Sequence, residues 1–223
     1  AALLASLRTR FVSDSLHALL SRLKPSRFRN FLSKVVCFFT GHPVDVASGK
    51  VMTEFVDAEL PGPLPLKIER VYSSAFASRA GPLGHGWSFS LNQAIWRERG
   101  KVVLLADDGR EIEFDTFDFS GHQIAVGQSV YNPIERLTLH CEPQGLWRVV
   151  DALGLTRVFA PVTGGGPAMI QQIRSACGFH QIVFEYDPRG RLARVRDSSG
   201  RLVELRSDEA GRITELWLAK PVG

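Results

Sequence analysis

One turn motif recurs near the C-terminal end of this chain and constrains its fold more than any other feature. An aspartate is followed three residues later by a glycine at three places: Asp187/Gly190, Asp197/Gly200 and Asp208/Gly211. This pair is typical of a type I turn, because the carboxylate accepts hydrogen bonds from nearby amides and glycine adopts a positive φ at low cost. The motifs are 10 and 11 residues apart, which predicts one turn and one strand per unit and a hairpin repeat of about 20 residues.

The residues that follow each glycine obey one rule. Arginine comes first, an aliphatic residue second, a charged residue fourth and an aliphatic residue fifth. The fifth residues are Val195, Leu205 and Leu216, and weaker upstream copies of the motif place Phe114, Phe159 and Val183 there. We expect the second and fifth positions to face a shared core, since one hairpin cannot bury its own face. Acidic residues interleave with the arginines, which favours a neutralised strand surface over a polyanion-binding ladder.

Short strands are predicted throughout residues 41–223. From residue 41 apolar residues recur with a period of two, and clusters of glycine and proline separate the runs. Only residues 162–172, which contain a Gly-Gly-Gly-Pro sequence, are expected to form a longer loop. The predicted fold class is therefore mainly β, with antiparallel hairpin repeats that form part of a large curved sheet, preceded by two short α-helices.

Those two helices are predicted in a basic segment, residues 1–40. Apolar residues stand at helical spacing over 4–23 and, after Pro25, over 26–39. The segment holds seven Lys/Arg and one Asp, a net charge of +6 in a chain of +4 overall, so the remainder is mildly acidic. This balance argues against nucleic acid as a partner of the β region. For the segment itself two interpretations stay open: it contacts a membrane or a partner's groove, or it covers part of the β structure.

No metal or cofactor site is predicted. His42, His85 and His180 form no H-x-x-x-H or H-x-E pair, and the chain holds no phosphate loop or nucleotide-binding fingerprint. The three cysteines, Cys37, Cys141 and Cys177, have no CxxC spacing and are expected to be reduced, buried thiols. The N-terminal residues do not have the pattern of a signal peptide, so we expect folding in the cytoplasm.

Three further motifs precede the repeats in a fixed order: GHPVDVASG at residues 41–49, LPLKIERVYSS at 64–74 and GPLGHGWSFS at 81–90. Together with the Tyr186-Asp187 head of the repeat, they resemble the opening of the core of bacterial Rhs (rearrangement hotspot) proteins, which contain YD repeats. The resemblance covers residues 41–218. The DPxGL motif at which Rhs proteins release their toxin is not found, so the chain is similar to the opening segment of such a protein.

This resemblance implies an organisation and a role. Residues 1–40 would be a linker or plug, 41–160 the start of the Rhs core and 161–223 the first YD/RHS repeats. The fold would be part of a hollow β-cocoon that encapsulates a C-terminal toxin, and the segment would not itself be an enzyme. Implied partners are the remaining shell, the toxin, a secretion spike of the PAAR/VgrG type and an effector chaperone. Delivery would run from the bacterial cytoplasm through a type VI secretion system in interbacterial competition.

Two other functions are kept as alternatives. The first is self-processing near His42-Pro43, in which a carboxylate such as Asp45 or Glu59 would assist cleavage of the peptide bond; the simpler interpretation is that Asp45 caps a turn. The second is an extracellular module that binds carbohydrate or another cell. That function needs an exposed aromatic platform, whereas the four tryptophans share no repeat position and are explained more simply by core packing.

Overall fold

The computed structural model describes residues 44–45, 50–162 and 166–219. Within these ranges the fold is mainly β and the strand pairs are antiparallel, which confirms the predicted fold class. The helical segments there are three 3-10 turns of three residues each: Ser74–Phe76, Ser120–His122 and Pro143–Gly145. The two predicted helices lie outside the described residues. Nowhere in the described ranges is a helix long and apolar enough to cross a membrane.

A small sheet comes first in the chain. Its order is β1 (Val44–Asp45), β2 (Lys50–Leu60), β3 (Leu66–Ser73) and β6 (Trp87–Phe89). Between β3 and β6 the chain forms a two-stranded ribbon, β4 (Ala80–Gly81) with β5 (Gly84–His85). In β3, Leu66 and Ile68 are buried and Lys67 between them is exposed, as the period of two predicts. One face of the small sheet therefore packs on the core.

A large sheet of twelve strands makes up the rest. Nine strands lie side by side in chain order: β10 (Ser129–Asn132), β11 (Leu137–Cys141), β12 (Trp147–Asp151), β13 (Thr156–Pro161), β14 (Ala168–Arg174), β15 (Gln181–Tyr186), β16 (Leu192–Asp197), β17 (Leu202–Ser207) and β18 (Ile213–Ala219). A branch of three strands joins them: β7 (Ala94–Glu98), β8 (Lys101–Leu105) and β9 (Glu111–Asp115). The branch begins at β14, whose first residues pair with β7 and whose last residues pair with β15.

The branch curls round until β9 lies beside β10. Asn132 donates a side-chain hydrogen bond to the Glu113 carbonyl at 2.9 Å. Arg110 donates to both carboxylate oxygens of Glu135, at 2.8 and 3.2 Å, and to Asp108 at 2.7 Å. The side chains of Arg110 and Glu135 are 8% and 5% exposed. A buried ion pair thus closes the seam, which is the junction between β9 and β10. The strands of the branch together with β10–β14 therefore surround one core.

Two expectations about single segments were wrong. The loop expected at 162–172 is shorter, because β14 begins at Ala168 and buries Ala168 and Ile170 with Met169 between them; the adjacent glycines obscured this short alternation in the sequence. Cys141 is buried as expected, but Cys177 is exposed, because it lies in the turn between β14 and β15 rather than in a strand. The division at residues 40 and 160 stays a prediction.

Replacement of Glu135 by alanine tests the seam. The change leaves the Arg110 guanidinium buried with only Asp108 beside it, so we expect the free energy of unfolding to fall by about 3 kcal/mol. The matched control is Glu113→Ala in β9, where an exposed glutamate pairs with Lys101 and a loss below about 1 kcal/mol is expected. Urea unfolding measures both. Equal losses in the two variants would contradict the role of the ion pair in closing the seam.

Candidate functional site

The aspartates of the three repeat turns make closely similar contacts. Oδ1 of Asp187 accepts hydrogen bonds from the amides of Arg189 and Arg191, both at 2.9 Å, and Oδ2 accepts one from the Arg191 guanidinium at 2.7 Å. Asp197 accepts from the equivalent amides and guanidinium, and Asp208 accepts from the amide and guanidinium of Arg212 at 2.8 Å each. Each carboxylate is therefore used to close its own turn.

The glycine of each turn completes this geometry. Gly190, Gly200 and Gly211 have φ of 77°, 81° and 82°, a conformation that costs glycine little and other residues more. The amide of each glycine donates to the carbonyl of the turn aspartate, at 2.9 to 3.1 Å. The backbone and the carboxylate together hold a loop of fixed length.

The charge of the turn carboxylate is part of this stabilisation. The hydrogen bond from the Arg212 amide lowers the pKa of Asp208 below its ordinary value, and the Arg212 guanidinium adds to the effect. Because the folded state favours the ionised form, this turn is most stable above the pKa of an unfolded aspartate. Its contribution is lost as the pH falls through the lower pKa of the folded state.

Two of these arginines, Arg191 and Arg201, also reach beyond their own turns, which was not expected from the sequence. Arg191 donates to the Asp208 carbonyl at 2.9 Å and so links two turns at the same end of the strands. At the other end, Arg201 donates to the carbonyls of Pro61 and Leu64 in the loop between β2 and β3. The constant arginine directly after the glycine is the sequence signal for this role. Arg201 thus ties the repeat region to the small sheet.

The tyrosine that precedes the first of these turns is a half-buried structural group that packs against the core. Tyr186 donates its hydroxyl hydrogen bond to the Ile170 carbonyl at 2.7 Å, across the sheet from β15 to β14. Burial raises the pKa of Tyr186 well above its ordinary value. The phenol is therefore held as a neutral donor that links two strands.

Most fifth-position residues face the core. Phe114, Phe159 and Val195 are at most 1% exposed, and Leu205 is 6% exposed; Leu216 is half-buried against the same core. Val183 does not follow the rule. In its hairpin the Ser175 amide bonds to the His180 carbonyl, five residues on, whereas in the Asp187 turn the same bond spans four residues. The extra residue moves the buried positions to Ile182 and Phe184.

The second-position rule holds only on alternate hairpins. A bulge in β16 and another in β18 let the second and fifth residues face the same side, so Leu192 and Ile213 pack on the core. The pairing of β16 with β17 has no such shift. There Val203, the third residue after Gly200, is fully buried, and the expectation for Leu202 was wrong. The turns at one end of the sheet are thus followed by a bulge and the turn at the other end is not. The structural repeat is therefore the two-stranded hairpin rather than the single strand.

The candidate processing residues are not assembled into one site in the described part of the chain. His42 and Pro43 lie outside it. Asp45 stands in β1 opposite Lys50, and Glu59 stands exposed near the far end of β2, opposite Lys67. Nine residues of strand separate the two pairing positions, about 30 Å at 3.3 Å per residue. Asp45 and Glu59 therefore cannot act on one peptide bond in this arrangement.

Metal-ligand side chains are likewise dispersed. In residues 44–45, 50–162 and 166–219 no three His, Cys, Asp or Glu side chains come together in a group that could hold a metal ion. Two clefts have volumes of about 190 and 280 Å³, smaller than typical small-molecule sites, which begin at about 300 Å³. The repeat turns remain the best-defined candidate site, and their chemistry is structural.

The different contacts of Arg201 and Arg212 predict different losses of stability when each arginine is replaced by lysine. In Arg201→Lys the planar donor set that joins Asp197 to the Pro61 and Leu64 carbonyls is lost, and we expect a loss of about 1 to 2 kcal/mol in unfolding free energy. Arg212 has a side chain that is 64% exposed, so Arg212→Lys should change the stability by less than about 0.5 kcal/mol. Thermal and urea unfolding compare the two. A larger loss for Arg212→Lys would contradict the proposed link.

Residues 41–114 match a protein-family model that is described as a domain of unknown function, DUF6531. Three curated proteins are similar over most of this chain. Double-stranded DNA deaminase toxin A of Burkholderia cenocepacia (strain H111) is 26% identical over 192 residues, which cover 83% of this chain and 11% of the toxin. The probable deoxyribonucleases RhsA and RhsB of Dickeya dadantii (strain 3937) are 29% and 30% identical over 216 residues, which cover 79% of this chain and 14% of each enzyme.

The chain therefore spans only 11 to 14% of the length of these relatives. Two of the three have Rhs in their names, and the match to the family model begins at residue 41, where the GHPVDVASG motif begins. The repeat turns, the opening motifs and these relatives agree: the chain belongs to the Rhs family, at modest identity and over a small part of its relatives' length.

Proposed function

We propose that the β region of this chain is a structural segment of a shell that encapsulates a toxin carried further along the same polypeptide. One observation carries the proposal: the constant side chains of the repeat unit make structural contacts, within their turns, between turns and in the core. Its carboxylate and arginine close and link turns, and its fifth aliphatic residue is buried in two of the three units. Side chains committed in this way are not available for chemistry on a substrate.

The end of the large sheet supports a continuing structure. Within the described part of the chain, β18 pairs with no strand other than β17. Apart from the Ile213 amide, which donates to the Pro82 carbonyl at 2.7 Å, its other edge has no strand to pair with among the described residues. Trp217 and Leu218 on this strand are 56% and 46% exposed. Exposed edges with apolar side chains are a liability that proteins cover, and a sheet of repeated hairpins covers its edge by adding the next hairpin. Further strands beyond β18 would extend the shell.

The cargo is proposed from the names of the relatives. One relative is a double-stranded DNA deaminase toxin and two are probable deoxyribonucleases, and most of the length of each lies outside the region similar to this chain. We place the enzymatic activity in a C-terminal domain outside this segment, with the segment itself non-enzymatic. A toxin that attacks DNA would need to be enclosed while it is in the cytoplasm of the producing cell.

Delivery and partners complete the proposal. The effector would leave the producing cell through a type VI secretion system. The region before the β structure would meet the spike, of the PAAR/VgrG type, and an effector chaperone. The basic residues of segment 1–40, with a net charge of +6, would provide an electrostatic contact for such partners or for an anionic membrane surface.

Protection of the cargo from protease tests the shell. The longest polypeptide encoded in frame with this chain is treated with trypsin, and the lifetime of its C-terminal domain is followed by mass spectrometry. We expect a long-lived domain in the parent and a lifetime at least about tenfold shorter in Val195→Ser, because an unsatisfied hydroxyl in the core opens the sheet. The control is Arg196→Ser, the neighbouring exposed position, which should behave as the parent. A C-terminal domain that is digested at once in the parent would overturn the proposal.

A further inference from the structure

Three aromatic side chains gather on the small sheet at a place that no repeat motif marks. The ring of Trp87 lies 6.1 Å from that of Phe55 and 5.4 Å from that of Tyr72, between centroids. The guanidinium of Arg70 lies over the rings of Phe55 and Trp87, at 5.6 and 5.7 Å from their centroids. Arg70 is also held by both oxygens of Asp57, at 2.6 and 2.7 Å. We call Phe55, Arg70, Tyr72 and Trp87 the aromatic patch.

The aromatic patch lies on the face of the small sheet that packs on the core. Arg70 is paired with Phe55 on one side and with the buried Phe89 on the other. Residues directly opposite each other in antiparallel strands point to the same face. Tyr72 is two residues further along β3 and is paired with Trp87, so it also shares that face.

A bulge in β2 is needed to put Phe55 there. Val56 is paired with Glu69 and Ala58 with Ile68, so Asp57 is an extra residue in the strand. Without it, Phe55 and Ala58 would point to opposite faces. Bulges are positioned features, and this one turns an aromatic ring toward the core side.

The core, however, ends before it reaches the aromatic patch. Leu66, Ile68 and Phe89 on this face are at most 4% exposed, whereas Phe55 is 47% exposed and Tyr72 and Trp87 are half-buried. The single cation of the patch is already compensated by Asp57. What remains is a mainly apolar area of sheet that the described part of the chain does not cover, and exposed areas of this kind mark binding surfaces.

The direction of the chain at β1 indicates what covers it. Val44 is paired with Val51 and Asp45 with Lys50. Going backwards along the chain from Asp45 to Val44 therefore leads from Lys50 toward Phe55, along the edge of β2. The direction of the strand at Val44 thus brings a chain that continues backwards from it toward the part of β2 that carries the aromatic patch.

The segment just before Val44 in the sequence has a matching composition. Phe28, Phe31, Leu32, Val35 and Phe39 stand three and four residues apart, and residue 39 is only five residues before Val44. Five residues of chain span up to about 17 Å, enough to turn back from the edge of β2 onto its face. A run with this spacing presents one apolar side and needs an apolar surface to cover it.

We propose that residues 28–39 of this chain dock on the aromatic patch and complete the core of the small sheet. Their apolar side contacts Phe55, Tyr72 and Trp87. Arg29 and Lys34, which alternate with these apolar residues, would then lie away from the patch and be free for the partners of the proposed function. This docking is independent of the identity of the toxin and of the secretion route.

A photo-cross-link tests the docking directly. The aromatic photo-cross-linker p-benzoylphenylalanine replaces Phe55 in the full chain, and cross-linked peptides are identified by mass spectrometry after irradiation. We expect a link to residues 28–39 of the same molecule, at a yield independent of protein concentration. The matched control is the same replacement at Val56, which is 50% exposed on the opposite face of the strand and should give no such link. A link from position 55 to a second copy or to another segment, or no link at all, overturns the proposal.

Hydrogen exchange supplies a second readout that does not depend on the cross-linker. In Phe55→Asp we expect the amides of residues 28–39 to exchange at least about tenfold faster than in the parent, because a charge on the patch expels the apolar side. In Val56→Asp, with the charge on the other face, they should exchange as in the parent. Equal rates in all three proteins would contradict docking at this surface.

Discussion

The structure depends on the fixed length of its turns. A strand has a side-chain period of two, so a shift of one residue would turn every buried side chain of a repeat to the surface. The carboxylate of Asp187 prevents such a shift, because it bonds to two amides within its turn and to the arginine that follows. The hairpin from Ser175 to His180 shows the consequence of one added residue: the buried positions move by one, to Ile182 and Phe184. The turn therefore decides which face each residue occupies.

The mainly β class, the turns after residue 186 and most of their inward positions could be predicted from the sequence, because these features are local. Asp-x-x-Gly fixes the turn and the alternation fixes the faces, as Phe159 and Val195 show. Bulges are not encoded by such a simple pattern, so the burial of Val203 in place of Leu202 was not foreseen. The short alternation in β14 was missed because adjacent glycines dominate that stretch.

Contacts between residues far apart in the chain also could not be predicted from the sequence pattern. The arginine after each glycine was interpreted as part of a neutralised surface, yet Arg201 contacts carbonyls about 140 residues away in the chain. The pair of Arg110 with Glu135 that closes the seam between β9 and β10 spans 25 residues with no recognisable spacing. The aromatic patch draws its residues from β2, β3 and β6. In each case tertiary structure joins residues whose local sequences show no relation.

The repeated hairpin is proposed to be a structural unit whose last described strand, β18, can pair with a further hairpin. This role is tested most directly by a chain in which a second copy of residues 197–218 directly follows Trp217. The copied Asp197 then stands at position 218, seven residues after Gly211, just as the original Asp197 stands seven residues after Gly190. Hydrogen exchange of the β18 amides is compared with that in the parent chain. We expect exchange in β18 to slow toward that of β16, because the added hairpin covers its open edge. Unchanged exchange in β18, with the added residues themselves unprotected, would contradict it.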